Sequence, residues 1–221
     1  MRLTHINNAV SEIMSSNKTF AVETETIRGI NYPVFKNAPQ NLCEMLKRSF
    51  SSHDDGKAEY LVYQNERWSY DAFCADIKKV AWHLQKEFSV KKGTPVAIAM
   101  RNYPEFIILV MAISALGAKV VFLNAWWTTK ELKYALEDSS AKLVFADGPR
   151  TNSIEPLVKD LNLQIIAVRD AEAFWPTRFS DFLKSTTVAK WPEANIEPED
   201  DFSIMYSSGT TGHPKGIILT H

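Results

Sequence analysis

Between residues 95 and 168 two kinds of apolar run alternate, and that alternation leaves the chain few folds to choose from. Residues 96–100, 119–123, 143–146 and 164–168 are short, aliphatic and β-branched, and read as buried strands. Helical signals lie between them. Pro104 suits a first helical turn, and the helix it opens runs to about Leu116. Thr128 and Glu131 have capping-box spacing, with Leu132, Ala135 and Leu136 following on one face. Residues 152–161 form a third helix. Strand–helix order of this kind predicts an α/β fold, a doubly wound, mostly parallel sheet.

Upstream, residues 59–63 and 67–69 read as a hairpin around Asn65-Glu66. From Tyr70 the spacing turns helical, with Phe73, Ile77, Val80, Ala81, Leu84 and Phe88 on one stripe. Leu42, Met45, Leu46 and Phe50 mark an earlier helix, and Ile6, Val10, Ile13 and Met14 one side of a first short helix. Residues 17–34 look extended or irregular. Residues 170–194 are less regular, with Phe174-Trp175-Pro176 and residues 179–183 as packing elements, and residues 191–201 are a proline- and acid-rich linker. The expected organisation is an N-terminal extension with helices over residues 1–58, then an α/β domain over residues 59–221.

Composition removes several functions. A formal net charge of −1 leaves no basic footprint for nucleic acid. Cys43 and Cys74 stand alone, without C-x-x-C spacing, and read as reduced thiols of a cytoplasmic protein. The five histidines show no metal-ligand spacing, so no protein metal site is expected. Residues 1–19 lack the apolar centre of a signal peptide, and the apolar run 106–118 is too short to span a bilayer.

The chemistry is concentrated near the end, in Tyr206-Ser207-Ser208-Gly209-Thr210-Thr211-Gly212-His213-Pro214-Lys215-Gly216. Gly209, Gly212 and Gly216 permit positive φ and close approach of a ligand to the backbone. Successive N–H groups in such a loop form an anion-binding concavity. Ser207, Ser208, Thr210 and Thr211 add hydroxyls, and Lys215 adds a mobile point charge. A Walker A loop requires Gly-Lys-Ser/Thr opening a helix; here Gly216 follows Lys215, and a β-favouring run follows that. The loop therefore joins two strands. An ordinary glycine-rich hairpin accounts for Gly212-His213-Pro214 but not for four hydroxyls, three glycines and a lysine in eleven positions.

This run, with Ile217-Ile218-Leu219-Thr220-His221 after it, resembles the phosphate-loop signature of the adenylate-forming ligases. That superfamily includes acyl-CoA synthetases, luciferases and the adenylation domains of peptide synthetases. Residues 100–105 and 123–128 resemble one branch of bacterial acyl-CoA ligases. Most of the superfamily carries proline after the Asn124-type residue; this chain has Ala125, Trp126 and Trp127. Residues 68–73 are a loose form of the family's hairpin-to-helix motif, with Phe73 in place of leucine and Ala72 in place of an acid.

The resemblance implies the N-terminal part of the large domain of such a ligase. The implied reaction joins a carboxylic acid to AMP and then passes the acyl group to CoA, using ATP, Mg2+ and CoA. It implies that Ser207, Ser208, Gly209, Thr210, Thr211 and Gly212 cradle the β,γ-phosphates, and that Lys215 meets charge developing on pyrophosphate. The branch suggests a fatty acid, with an aryl acid as the alternative. In the family, the adenine and ribose contacts, the magnesium-holding acid, most of the acyl pocket and a mobile C-terminal domain follow this loop. The expectation is therefore a piece of an enzyme well over twice as long, inactive by itself. The competing reading is a free-standing, non-catalytic α/β domain that binds an anion or a partner. Two readings stay open for Trp126-Trp127, ligand platform or packing between sheet and helix, and the same holds for Arg101, phosphate ligand or solvated side chain. His221 is open between packing and ligand contact.

Overall fold

Short aliphatic runs with no room for polar side chains must be covered on both faces, and the chain does this with helices. The computed structural model describes residues 2–16, 18–51, 56–186, 190–207 and 214–221. They fall into two compact units, Met1–Gln40 and Asn41–His221.

In the first unit, helix α1 (Arg2–Ser16) precedes an antiparallel hairpin of β1 (Val22–Ile27) and β2 (Ile30–Phe35). The stretch read as extended or irregular is thus a paired ribbon. Arg28 and Gly29 both have positive φ, 50° and 80°, the backbone hand that matches strand twist in a two-residue turn. The apolar side read on α1 is exposed: Ile6, Val10, Ile13 and Met14 all remain in contact with solvent.

The second unit opens with α2 (Leu42–Ser51), the hairpin β3 (Glu59–Tyr63) and β4 (Glu66–Ser69), and α3 (Tyr70–Glu87). Ser69 Oγ accepts the Ala72 N–H at 3.2 Å and starts α3 where the hairpin ends. Then follow β5 (Pro95–Ala99), α4 (Pro104–Ala115), β6 (Lys119–Phe122), α5 (Thr129–Ser139), β7 (Leu143–Ala146), α6 (Gly148–Ile154), α7 (Val158–Leu161), β8 (Gln164–Ala167), α8 (Phe179–Lys184), β9 (Asp201–Ser207) and β10 (Lys215–Thr220).

The six strands β5–β10 form one sheet in the order β10-β9-β6-β5-β7-β8. The four strands expected to be parallel are parallel, β9 joins β6 in the same sense, and β10 runs antiparallel at the edge. The Thr128–Glu131 capping box forms as read. The third helix begins earlier than residue 152, because Pro149 sits in its first turn behind Asp147, where its missing N–H costs nothing. Residues 179–183 lie within a short helix that buries Phe179 and Phe182.

Alternation along each strand separates two cores. Val96, Ile98, Val120, Leu143 and Phe145 face α3 and α4 residues such as Phe73, Ile77, Ile108 and Ile113. Ala97, Ala99, Val121, Val144 and Ile204 face Leu132, Leu136, Ile154 and Leu161. Full burial stabilises each large aliphatic or aromatic side chain by roughly 1.5–3 kcal/mol, so both layers contribute to holding the sheet. The chain consequently leaves β5 toward one face and β6 toward the other, and their loops part at the carboxyl edge.

At that edge Arg169, in a left-handed backbone conformation (φ 55°), ties separate elements together. Its guanidinium donates to Glu66 at 2.9 and 3.1 Å and to Glu105 at 2.9 Å. It also lies 5.1 Å from the Tyr63 ring centre and 4.9 Å from that of Tyr103. The hairpin β3–β4 is thereby fastened to the start of α4.

Candidate functional site

β9 and β10 pair with Lys215 opposite Ser207 and Gly216 opposite Tyr206. The two ends of the signature are thus brought side by side, as expected of a loop joining two strands. Directly opposed residues of an antiparallel pair project to the same face with Cβ atoms about 4.5–5.5 Å apart. Ser207 and Lys215 are both exposed, and the ammonium of Lys215 has no ion-pair partner among the described residues. Ser208, Gly209, Thr210, Thr211 and Gly212 lie outside the described residues.

The strand ends that flank this loop in sequence are held in place. The Tyr206 hydroxyl lies 2.8 Å from Asp138 Oδ2 and 3.1 Å from the Ala135 carbonyl oxygen, so its one proton is shared between two acceptors on α5. Burial, then the hydrogen bond to the Asp138 carboxylate, raise the Tyr206 phenol above the usual phenol range and keep it protonated. The Trp127 ring packs edge-on against Tyr206 at 5.6 Å. At Gly216 the reason for glycine is space. A Cβ there would stand 3.1 Å from Ile204 Cγ2 and 3.3 Å from both Asp138 Oδ2 and Tyr206 Cε1. Its φ is not in the left-handed region, so close approach rather than backbone freedom explains this position.

The two adjacent tryptophans have different surroundings. Trp127 is partly buried against the α5 core, which is the packing reading. Trp126 is 80% exposed. Its backbone N–H donates to Asn124 Oδ1 at 2.9 Å, and the neighbouring Ala125 carbonyl accepts from Arg150 Nε at 2.8 Å. Arg150 pairs with Asp147 at 3.2 Å, and both are almost wholly buried. Asp147 also accepts the Arg101 backbone N–H at 3.1 Å. One buried ion pair therefore fixes the loops after β5 and β6 together. The sequence reading passed over this pair; its signal is the acid three residues before an arginine at the end of the apolar run 143–146.

His221 sits at the far end of β10. Its N–H donates to the Asp200 carbonyl at 3.2 Å, its ring packs 5.7 Å from Phe202, and its Nδ1 accepts the Leu42 N–H at 3.4 Å. These contacts are packing, at the opposite end of the strand from Lys215. Beside the start of α4, an open cleft of about 380 Å3 is lined by Leu61, Val62, Tyr63, Asn102, Tyr103, Pro104, Phe106 and Ile107.

A family model described as AMP-binding enzyme matches residues 50–221. Among curated relatives, 4-coumarate–CoA ligase 1 of Arabidopsis thaliana is 31% identical over 150 residues, which are 65% of this chain and 27% of that protein. The 2-succinylbenzoate–CoA ligase of Bacillus velezensis is 31% identical over 160 residues, 72% of this chain and 30% of that protein. Among solved structures, a fatty acyl CoA synthetase of Mycobacterium tuberculosis superposes with a TM-score of 0.69 at 24% identity, covering 82% of this chain and 34% of that one. ATP-bound MatB of Rhodopseudomonas palustris gives 0.70 at 23% identity, covering 83% and 35%. The structural likeness is one of fold. The chain spans less than a third of the length of these curated relatives.

Proposed function

The chain belongs to the AMP-binding enzymes, and from that premise we propose that it is the phosphate-loop portion of an ATP-dependent acyl-CoA ligase. Such a ligase forms acyl-AMP from a carboxylic acid and ATP, releases pyrophosphate, and transfers the acyl group to the thiol of CoA. The observation that carries the reading is the pairing of Ser207 with Lys215. It places the serine end of the signature and its lysine on one face of one strand pair.

In this reading the N–H groups and hydroxyls of residues 207–212 cradle the β,γ-phosphates. Lys215, with no partner among the described residues, meets the charge that grows on the leaving pyrophosphate. Tyr206, fixed by Asp138 and Trp127, orients the entry to the loop. Among the described residues no group of three or more His, Cys, Asp or Glu side chains could hold a metal ion. Magnesium is proposed to arrive on the ATP phosphates, which supply hard oxygen ligands themselves.

The acid is proposed to be a fatty acid, on the resemblance of residues 123–128 to one branch of bacterial acyl-CoA ligases. Aryl acids are the competing class. We place the protein in the cytoplasm: Cys43 and Cys74 are free thiols, as suits a reducing compartment, and no helix among the described residues is long and apolar enough to cross a membrane. The test is calorimetric titration of the 221-residue chain with ATP and with pyrophosphate, alongside Lys215→Ala. Weak, salt-sensitive binding that the substitution abolishes is expected. Failure of both ligands to bind, or equal binding by the variant, sinks the reading.

A further inference from the structure

We propose that helix α1 is a self-association surface, on which the α1 of a second copy of this chain packs antiparallel. The inference is independent of the ligase reading.

Helix α1 needs cover. Every residue of it from Leu3 to Ser16 is exposed, and no described residue of the unit Met1–Gln40 is buried. The hairpin β1–β2 supplies no core either, since Val22, Ile30, Tyr32 and Phe35 are all exposed. A helix of 15 residues is marginal in water even when rich in alanine. This one holds a single alanine, Ala9. It carries Thr4, Ile6, Val10 and Ile13, whose β-branched side chains lose rotamer freedom in a helix, and Asn7 and Asn8, which favour turns. A helix of this composition is held by the packing of its apolar side rather than by propensity.

The shape of that side selects another helix. Leu3, Ile6, Val10 and Ile13 follow one another at intervals of three, four and three, the a/d repeat of a coiled-coil seam. All four are between 48% and 76% exposed, so the seam is unoccupied by the chain itself. A helix that lies in a bilayer surface has a broad apolar face and a polar face rich in lysine and arginine. Here residues 4–16 contain neither, and apart from Ala9 and Met14 the positions outside the seam are polar.

Its complement is a second α1. With the two helices antiparallel about Asn8, Leu3 comes level with Ile13 of the second copy, and Ile6 with Val10 of the second copy. The two-fold axis repeats both layers, so the whole seam is aliphatic and carries no charge. Charge complementarity sets the direction. The first turn of α1 holds no acid and the last turn no base, so neither pole of its macrodipole is answered within the helix. Glu12 stands toward the negative pole. An antiparallel neighbour lays its opposite pole beside each end, whereas a parallel one sets like poles together. Two heptads make a small interface, so the association is weak and depends on concentration.

The test is sedimentation velocity of the 221-residue chain as a function of protein concentration. A reversible monomer–dimer equilibrium is expected. Ile6→Asp and Val10→Asp should each weaken it at least about tenfold, because a charge replaces a buried aliphatic side chain in the seam. Asn8→Asp puts the same charge on the far side of the helix and should leave the equilibrium unchanged. Neither core of the sheet includes an α1 residue, so these variants keep the α/β unit intact. Disulfide trapping reads the direction, with Cys43 and Cys74 buried and out of the way. Leu3→Cys chains should cross-link to Ile13→Cys chains, and neither to its own kind. Monomer at every concentration overturns the proposal, as does a dimer that Val10→Asp leaves unchanged. Cross-linking of Leu3→Cys chains with one another shows a parallel pair and overturns it. A monomer whose urea midpoint falls in Val10→Asp at every concentration assigns the stripe to the chain's own packing. A monomer that cosediments with phosphatidylglycerol vesicles, and no longer does so as Val10→Asp, assigns it to a bilayer. Either result overturns the second copy as occupant.

Discussion

The phenol oxygen of Tyr206 lies 2.8 Å from Asp138 Oδ2, joining the strand that enters the phosphate loop to the last turn of α5. The hydroxyl belongs to a partly buried side chain between β9 and α5. Removing it leaves the carboxylate without that donor, and hydrogen bonds to charged groups contribute about 1.5–3 kcal/mol. Tyr206→Phe should therefore lower stability by about 1–2 kcal/mol in urea unfolding, the shortfall reflecting water access to exposed Asp138. An unchanged midpoint would show that the bond contributes nothing net.

The buried Asp147–Arg150 pair makes a larger claim. Asp147 is fully buried and Arg150 4% exposed, so removing one partner strands a charge. Asp147→Ala or Arg150→Met should each cost about 3–5 kcal/mol. The double variant should cost clearly less than the sum of the two, because it leaves no orphaned ion. Strict additivity in the cycle would show that the two charges are not coupled.

His221 gives a pH dependence of defined sign. Burial, its largest influence, lowers the imidazole pKa below the usual value, outweighing the nearby Asp200. The unfolded chain then binds the proton more readily. Stability from the neutral ring is fully present above about pH 6.5, the ordinary histidine value, and is lost as pH falls through the folded pKa. Between pH 6.5 and 5 the wild type should lose more stability than His221→Gln. An identical loss in both proteins would remove His221 as the cause.

Lys215 bears on chemistry. In a complete ligase carrying this loop, Lys215→Ala should lower the adenylation rate more than it weakens carboxylate binding, since the charge it meets grows in the transition state. Single-turnover acyl-AMP formation separates the two effects. A rise in acid KM at constant turnover would assign the lysine to ground-state binding instead.

The 221-residue chain by itself should show no carboxylate-dependent exchange of labelled pyrophosphate into ATP. Positioning of the reactants supplies roughly 7–11 kcal/mol of such a barrier, and a phosphate loop holds only one end of ATP. A panel of fatty and aryl acids is the assay, and turnover above the no-acid control would overturn the assignment of the remaining roles to other parts of the ligase.

What the sequence determined by itself was local. The alternation of strand and helix over residues 96–168, the Thr128–Glu131 box and the Pro104 helix start are all set within a few residues, and each appears in the fold. The pairing of the loop's two flanking strands was equally local, because the β-favouring runs 202–206 and 217–220 lie within a few residues of it. What tertiary structure decided was everything that needed two distant elements. No periodicity tells that Tyr206 meets Asp138, or that Gly216 is glycine because Ile204, Asp138 and Tyr206 crowd it. Trp126 and Trp127 are the same residue type at adjacent positions, yet one is mostly exposed and the other packs on Tyr206. Their fates diverge because successive residues point different ways from one loop, and only the folded neighbours, Tyr206 on one side and the buried Arg150–Asp147 pair on the other, distinguish those directions.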